Sequence, residues 1–322
     1  MSTTPFTFDK ELSTYTVVGQ TTPASTSTSM GSKTSLLVLG RVQKIFQMEA
    51  LLQLAQADLL EVLVLESSES RLYVETLARD CPRMRFLLFH QSVTPGEMIN
   101  RGMEEARGER VLVVWDDLSL PDPPHLVRAL KLAWEKIALC QIPELRTQKG
   151  EEIPTLVTPG FLKKSLKTKL FAYSSDDGRS LFPFDYVGLY HREKFLASGG
   201  FDHRIESTHW QKMDWGLRIH LWGEEIVATK GLRLDYQGEI PVENGTPDQS
   251  YRLFFLKNLL ILFQKDMGVL PPRRFWSFFF QSRLSWFQAH HLFKMVSHWV
   301  QANRYRFKKD ARGVVELWEN PI

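Results

Sequence analysis

From residue 35 onward, short unbroken apolar runs alternate with stretches of helical spacing. Leu36-Leu37-Val38-Leu39 is the first run and ends in Gly40. Ile45, Met48, Leu52 and Ala55 then recur at intervals that predict a helix. Val62-Leu63-Val64-Leu65 is a second buried strand, ending in Glu66. Ser70 is placed to cap a helix carrying Tyr73, Leu77 and Ala78. Phe86-Leu87-Leu88-Phe89 is a third strand. Pro95 sits where a first helical turn tolerates its missing N–H, and Met98, Ile99, Met103 and Ala106 carry that helix to about Gly108. Val111 to Trp115 is a fourth strand and runs directly into Asp116 and Asp117.

Strands that are apolar throughout and separated by helices predict a mostly parallel α/β sheet covered on both faces. Ligands of such sheets bind beyond the carboxyl ends of the strands. Glu66 and the Asp116–Asp117 pair fall at such ends, so acidic groups collect on one rim. An acidic rim suits a hydroxyl-rich or metal-bound ligand. Glu66 by itself reads more readily as an ordinary polar strand cap. Ahead of the sheet, residues 1–34 are dense in Ser and Thr and poor in large apolar side chains, which predicts a flexible tail. Thr14 to Val18 could add an edge strand to the sheet.

Composition narrows the function classes. The chain has 322 residues, 43% of them hydrophobic, so wholesale disorder is excluded. The 40 Lys and Arg against 37 Asp and Glu give a net charge of +3, and no nucleic-acid partner is expected. Two cysteines, Cys81 and Cys140, make no disulfide framework and fit a reducing compartment. No dinucleotide fingerprint follows a strand, and no phosphate-binding P-loop, nucleophile elbow or zinc spacing is present. No stretch qualifies as a membrane span; the most apolar, Leu253 to Phe263, is short and interrupted by Lys257 and Asn258. The N-terminus lacks the features of a secretory signal, so a cytoplasmic protein is expected.

Three blocks in the middle of the chain resemble the family 2 glycosyltransferases of the GT-A fold. PGEMINRGMEEARGERVLVVWDDLSLP, residues 95–121, is similar to that family's N-x-G, A-x-G-E, strand and D-x-D sequence, with Asn100, Gly102, Ala106, Gly108 and Glu109 in order. GLYHREKFLASGGFDHRI, residues 188–205, resembles its strand, R-E-x-F and GGFDE segment. DWGLRIHLWGEEI, residues 214–226, resembles its D-L-x-L-R helix. The resemblance covers about two-thirds of the chain. It implies a nucleotide-sugar donor over Gly40, Glu66, Asn100, Asp116 and Asp117, with Glu66 reaching the ribose or base. It further implies a divalent Mg or Mn ion at Asp116 and Asp117, bridging the diphosphate. The acceptor is expected to be an envelope glycan or a lipid-linked glycan, and transfer to invert the anomeric centre. A nucleotidyltransferase shares such a sheet but carries a Gly-rich basic loop, of which Gly40-Arg41 is a thin remnant.

Three departures from the family pattern stand out. The second D-x-D aspartate is Leu118, which has no ligating oxygen; magnesium nevertheless often binds through one or two carboxylates and water. The family's E-D pair, which holds its catalytic base, is Gln211 and Lys212. No His follows near residues 234–238. Two readings result. In an active, divergent transferase the base is Asp202, Glu206 or Asp214, and Lys212 lies near the diphosphate in partial replacement of the metal's charge. Asp214 also suits a structural pair with Arg218, one turn on. In the alternative, the sheet persists without chemistry as a binding or scaffold subunit. Trp210 is a candidate for stacking on a sugar, and Trp222 a core residue.

Between the blocks, Lys163, Lys164, Lys167 and Lys169 form a basic run, read as a solvated loop face or as an acceptor-side loop. After the transferase-like domain, residues 35–245, comes a helical extension, 246–322. Residues 273–309 contain no Asp or Glu, while eight Lys and Arg interleave with Phe, Trp and Tyr. Such helices either pack their aromatics on the domain or rest peripherally on an anionic membrane surface.

Overall fold

The computed structural model describes residues 14–19, 33–41, 59–67, 71–134, 136–162, 165–172 and 178–318. The helix expected over Ile45 to Ala55, the Ser70 cap, Lys163, Lys164 and most of the Ser/Thr-rich tail lie outside the described residues.

The core of the molecule is a nine-stranded sheet. Its first half follows the sequence pattern: β2 (Thr34–Leu39), β3 (Glu61–Ser67), β4 (Met84–Phe89) and β5 (Arg110–Trp115) run parallel in the order β4-β3-β2-β5. Strands β2, β4 and β5 are buried along their whole length, as strands covered on both faces must be. The expected edge strand exists: β1 (Tyr15–Val18) pairs antiparallel with β4.

Helix α1 (Arg71–Asp80) and helix α2 (Pro95–Glu105) cover this half. Pro95 opens α2, and the Thr94 hydroxyl accepts from the Glu97 amide at 3.2 Å. Ile99 and Met103 form its buried face. Gly102 is required there by space, since a Cβ would run into the Leu37 side chain on β2.

The second half was less legible and departs from a purely parallel sheet. After β6 (Leu118–Ser119) and α3 (Pro123–Trp134) come β7 (Cys140–Arg146), the hairpin β8 (Leu156–Leu162) and β9 (Ser165–Phe171), and β10 (Gly188–His191). Strand β10 inserts antiparallel between β5 and β7. Strand β11 (Ile226–Tyr236) is parallel to β7 and carries β6 antiparallel at the far edge. Leu118 is buried where β6 meets the end of β11, so the position that departs from D-x-D packs into the sheet and does not face the rim.

Helix α4 (Arg192–Ala197) leads into the Gly199-Gly200 turn and then α5 (Thr208–Leu221). Helix α5 is buried from His209 to Leu221, wedged between the sheet and the extension. The extension comprises α6 (Gln249–Phe254), a π-helical turn over Phe255–Leu259, a small hairpin of β12 (Leu262–Gln264) and β13 (Met267–Val269), and helices α7 (Arg274–Ser282), α8 (Trp286–Asn303) and α9 (Ala311–Glu316). A capping box of Ser285 and Gln288 starts α8. Leu256, Phe278, Val296 and Phe307 of the extension share one apolar cluster with Phe182, Met213, Leu217 and Leu221. The extension therefore completes the core over α5 and has no separate core.

Among the described residues, no helix is long and apolar enough to cross a membrane. Trp276, Phe280, Trp286 and Phe287 nevertheless stand exposed on α7 and α8, Phe287 at 80%. Arg273, Arg283 and Lys294 are exposed on the same two-helix unit and its ends.

Candidate active site

Parallel pairing of β2 with β5 sets the ends of these strands side by side, so Gly40-Arg41 meets Asp116-Asp117. The Arg41 amide donates to Asp116 Oδ1 at 3.0 Å. Its guanidinium donates to Asp117 Oδ2 at 3.2 Å, pairs closely with Asp185, and lies 4.1 Å from the Trp115 ring centroid. Glu66 closes the group on the β3 side: a Cβ on Gly40 would stand 3.3 Å from Glu66 Cγ. Glu66, Asp116 and Asp117 thus gather on one rim around Gly40.

Asp185 comes from a segment that no motif marked. It lies in the tight turn Phe184–Tyr186, where Asp185 and Tyr186 both adopt positive φ, 50° and 64°. Left-handed backbone at consecutive non-glycine residues is strained and persists only where its surroundings enforce it. Here Trp115 Nε1 donates to the Asp185 carbonyl at 2.8 Å, and the Tyr236 hydroxyl donates to Asp185 Oδ2 at 2.8 Å. Burial pushes the Asp185 carboxyl up, against the opposing charges of Arg41 and Lys212. Burial likewise raises Asp117; Arg41 opposes this, while Asp116 and Asp185 add to it.

The rim has the chemistry of a hard-cation site. Asp117 and Asp185 share the Arg41 guanidinium while Asp116 takes the Arg41 amide, so the aspartates outnumber the guanidinium. Asp117 Oδ1 is buried without a hydrogen-bond partner. Among the described residues no group of three or more His, Cys, Asp and Glu is arranged to cage a metal. The donor set thus fits an ion held by one or two carboxylates, with water and ligand phosphates completing its shell.

Asn100 lies apart from this rim. Its amide donates to the Phe201 carbonyl at 2.8 Å and accepts from the Phe201 amide at 2.9 Å. Both ends of the side chain are occupied in clamping the glycine turn, so the expected donor contact is corrected to a structural one. Gly200, with φ of 62°, belongs in that turn; a Cβ would collide with Asn100 Oδ1.

Two of the three expected bases are also structural. Asp214 is 0% exposed; Lys257 Nζ reaches it at 2.9 Å, Asn258 Nδ2 at 2.7 Å and Arg218 at 3.5 Å. Asp202 binds the same Lys257 Nζ at 2.8 Å and Arg204 at 2.6 Å. Burial pushes the Asp202 carboxyl up, but Lys257 and Arg204 outweigh it and hold it well below the usual carboxylate range. An acid so held is a poor proton acceptor. Lys257, which interrupts an apolar stretch in the sequence, is the cation this buried pair requires. Glu206, the third, is exposed at the start of the approach to α5.

Gln211 and Lys212 are both buried. Gln211 Oε1 accepts from the Gly96 amide at 3.1 Å and the Tyr186 hydroxyl at 2.9 Å, and its Nε2 donates to Thr94 Oγ1 at 3.0 Å. Lys212 is committed to Glu243, with the rings of Phe182, Phe184 and Tyr186 within 6 Å. Its charge is thereby neutralised, which corrects the expectation that it replaces a metal at the diphosphate. Trp210 is buried against Tyr251 and Phe254, with ring centroids at 4.7 and 5.2 Å, so it packs where a sugar-stacking role was expected. Trp222 is half-buried against Phe307 and Trp299.

A cavity of about 350 Å³ opens beside α5, lined by Lys167, Phe182, His209, Trp210, Glu243 and Tyr251 among others. Glu243 lies in the loop after β11, a stretch without a sequence signature. Lys167 faces this cavity from β9, and Lys169 is exposed on the same strand.

The sheet order, the strand-end rim and the glycine turn together make a GT-A-like α/β fold. Among solved structures it is similar to GalNAc-T7 in complex with UDP, GalNAc and Mn²⁺, at 12% identity over 88% of this chain and 56% of that one, with a TM-score of 0.60. It also aligns with residues 1–349 of S. aureus TarS, at 16% identity over 70% of this chain and 63% of that one, with a TM-score of 0.49. The chain thus spans somewhat over half the length of these two solved chains. No protein-family model and no curated protein sequence matches it.

Proposed function

We propose that the protein is a glycosyltransferase that moves a sugar from a nucleotide-sugar donor to a glycan or lipid-linked acceptor, with inversion. The observation that carries this reading is the Asp116–Asp117 rim facing Gly40, Arg41 and Glu66 at the strand ends of a GT-A sheet. Glu66 accepts hydrogen bonds from ribose hydroxyls or a base N–H. Asp116 and Asp117 would hold Mg or Mn together with the donor's phosphates; when bound, that ion neutralises charge on the leaving diphosphate. Arg41, steadied over Trp115, adds a fixed positive charge to the same rim.

Calorimetric titration with nucleoside diphosphates and their sugars, including UDP, UDP-GlcNAc and GDP-mannose, tests the reading. One nucleotide is expected to bind in Mn²⁺ and to lose most of its affinity in chelator. Absence of binding by every member of the panel, with and without Mn²⁺, would overturn it. A second reading, a binding subunit without transfer chemistry, is favoured by Gln211 and Lys212 in place of the family's E-D pair. It requires donor binding without release of nucleoside diphosphate.

The exposed aromatics and cations of α7 and α8 complement an anionic bilayer, which suits a lipid-linked acceptor. The protein is expected to co-sediment with phosphatidylglycerol vesicles and to remain in solution with phosphatidylcholine alone. The Phe280→Ser and Phe287→Ser double variant should abolish that binding and leave thermal stability unchanged, because both rings are mostly exposed. Equal sedimentation of the variant would exclude this surface.

A further inference from the structure

The cavity beside α5 contains chemistry that the paired Asp202 and Asp214 do not supply. His209 stands in the first turn of α5, one turn before Lys212, and its Nδ1 is 2.8 Å from Glu243 Oε2. Burial pushes the Glu243 carboxyl up, but the hydrogen bond from His209 and the charge of Lys212 outweigh it and hold it at about 2. Glu243 is therefore a carboxylate at neutral pH and can only accept, so Nδ1 carries the hydrogen it receives. A neutral imidazole with its proton on Nδ1 leaves Nε2 as the basic atom. Nε2 faces Gly245, where a Cβ would stand only 3.1 Å away. Gly245, itself on the cavity wall, lets the chain pass this close to Nε2.

A short stretch of chain links the cavity to the acidic rim. The segment 182–186 begins at the cavity wall with Phe182 and reaches the Arg41 pair at Asp185. The Lys212 ammonium bridges the two, paired to Glu243 and within electrostatic reach of Asp185. Phe182 and Tyr251 add aromatic surface to the wall, which suits the apolar face of a sugar.

We propose that His209 and Glu243 form the proton-accepting dyad of the acceptor site, with His209 Nε2 as the base and Glu243 as its positioning residue. The inference rests on the transferase reading above. His209 Nε2 takes the proton of the acceptor hydroxyl as the oxygen's electron pair forms the new bond to the anomeric carbon. The bond from that carbon to the diphosphate breaks, and its electrons leave with the phosphate. The imidazolium is neutralised by Glu243 and returns its proton to solvent. The charged and titratable groups facing His209 are Glu243 from the loop after β11, Lys212 on α5, Lys167 on β9 and Tyr251 on α6.

The probe is the nucleotide sugar selected by calorimetry, with water as acceptor and nucleoside diphosphate release as readout. His209→Gln should lower the release rate about 100-fold, the range of a lost general base, with donor Kd within about twofold. Gly245→Val keeps both members of the dyad and shields Nε2, so it should lower release without altering donor Kd; it serves as well should His209→Gln not fold. Glu243→Asp should retain activity with a shifted pH-rate profile, because the carboxylate still orients the ring. Release by His209→Gln at the wild-type rate overturns the dyad and leaves the transferase reading intact. A wild-type protein that binds donor but releases nothing overturns the dyad also. A wild-type protein that binds no donor removes both.

Discussion

Lys257→Ala should destabilise the fold by about 3–5 kcal/mol, the range for stripping a buried ion pair of one partner. Lys257 is 3% exposed, and its ammonium serves Asp214 and Asp202 at once. Removal leaves Asp214, 0% exposed, with only Asn258 and the more distant Arg218. Asp202 retains Arg204. Urea unfolding at neutral pH measures the loss, with Lys294→Ala on the exposed face of α8 as a control expected within about 0.5 kcal/mol of wild type. The pH dependence follows with a definite sign. The Asp202 carboxyl is depressed in the folded state, so its stabilisation is present above the unfolded carboxylate value and is lost as pH falls through the folded one. Glu243 behaves alike, between 4.5 and about 2. Without Lys257 the Asp202 value rises, and acid unfolding should begin at higher pH. A variant as stable as wild type at neutral pH would show that the ion cluster contributes nothing.

The parallel half of the sheet was readable because each strand is a run of apolar residues buried on both faces and ended by a polar or glycine residue. Asp116 and Asp117 were readable for the same reason: they follow the last buried residue of β5. The second half carried no such mark. Strand β10 is only four residues long and enters antiparallel, which no apolar run announces. Helix α5 has no polar face, since Gln211, Lys212, Asp214 and Arg218 are buried along with its apolar residues. Polarity there marks internal pairing, and the partners lie far along the chain in Thr94, Glu243 and Lys257. Arg41 follows the first strand in plain view, yet its partner Asp185 lies between the recognisable blocks. Spacing reveals which residues share a strand end or a helix face; it does not reveal which buried charge another segment will neutralise. That is why Asp202 and Asp214 read as bases, and why Glu243 carried no signal.

Asp117→Ala should lower Mn²⁺-dependent nucleotide affinity by about 100-fold or more, with little change in fold. The expectation follows from charge. The rim holds the four carboxylates of Glu66, Asp116, Asp117 and Asp185 against the Arg41 guanidinium, and a diphosphate brings further negative charge, so binding needs a cation delivered with it. Removing Asp117 takes away a buried carboxylate oxygen without a hydrogen-bond partner and halves the adjacent pair. Loss of a supporting residue near a metal already lowers affinity 10–100-fold, and a direct ligand should lie at or beyond that limit. Arg41→Ala provides the opposite sign. It withdraws the guanidinium that now ties Asp117 to Asp185, so affinity for Mn²⁺ alone should increase while nucleotide affinity falls. Electron paramagnetic resonance of free Mn²⁺, followed by calorimetry with the selected nucleotide, separates the two quantities. A rim that works without an ion would give the reverse: Asp117→Ala would leave nucleotide affinity unchanged or raise it, and Arg41→Ala alone would abolish binding. The pair of variants thus decides whether the positive charge on the diphosphate comes from an ion held by Asp116 and Asp117 or from Arg41 itself.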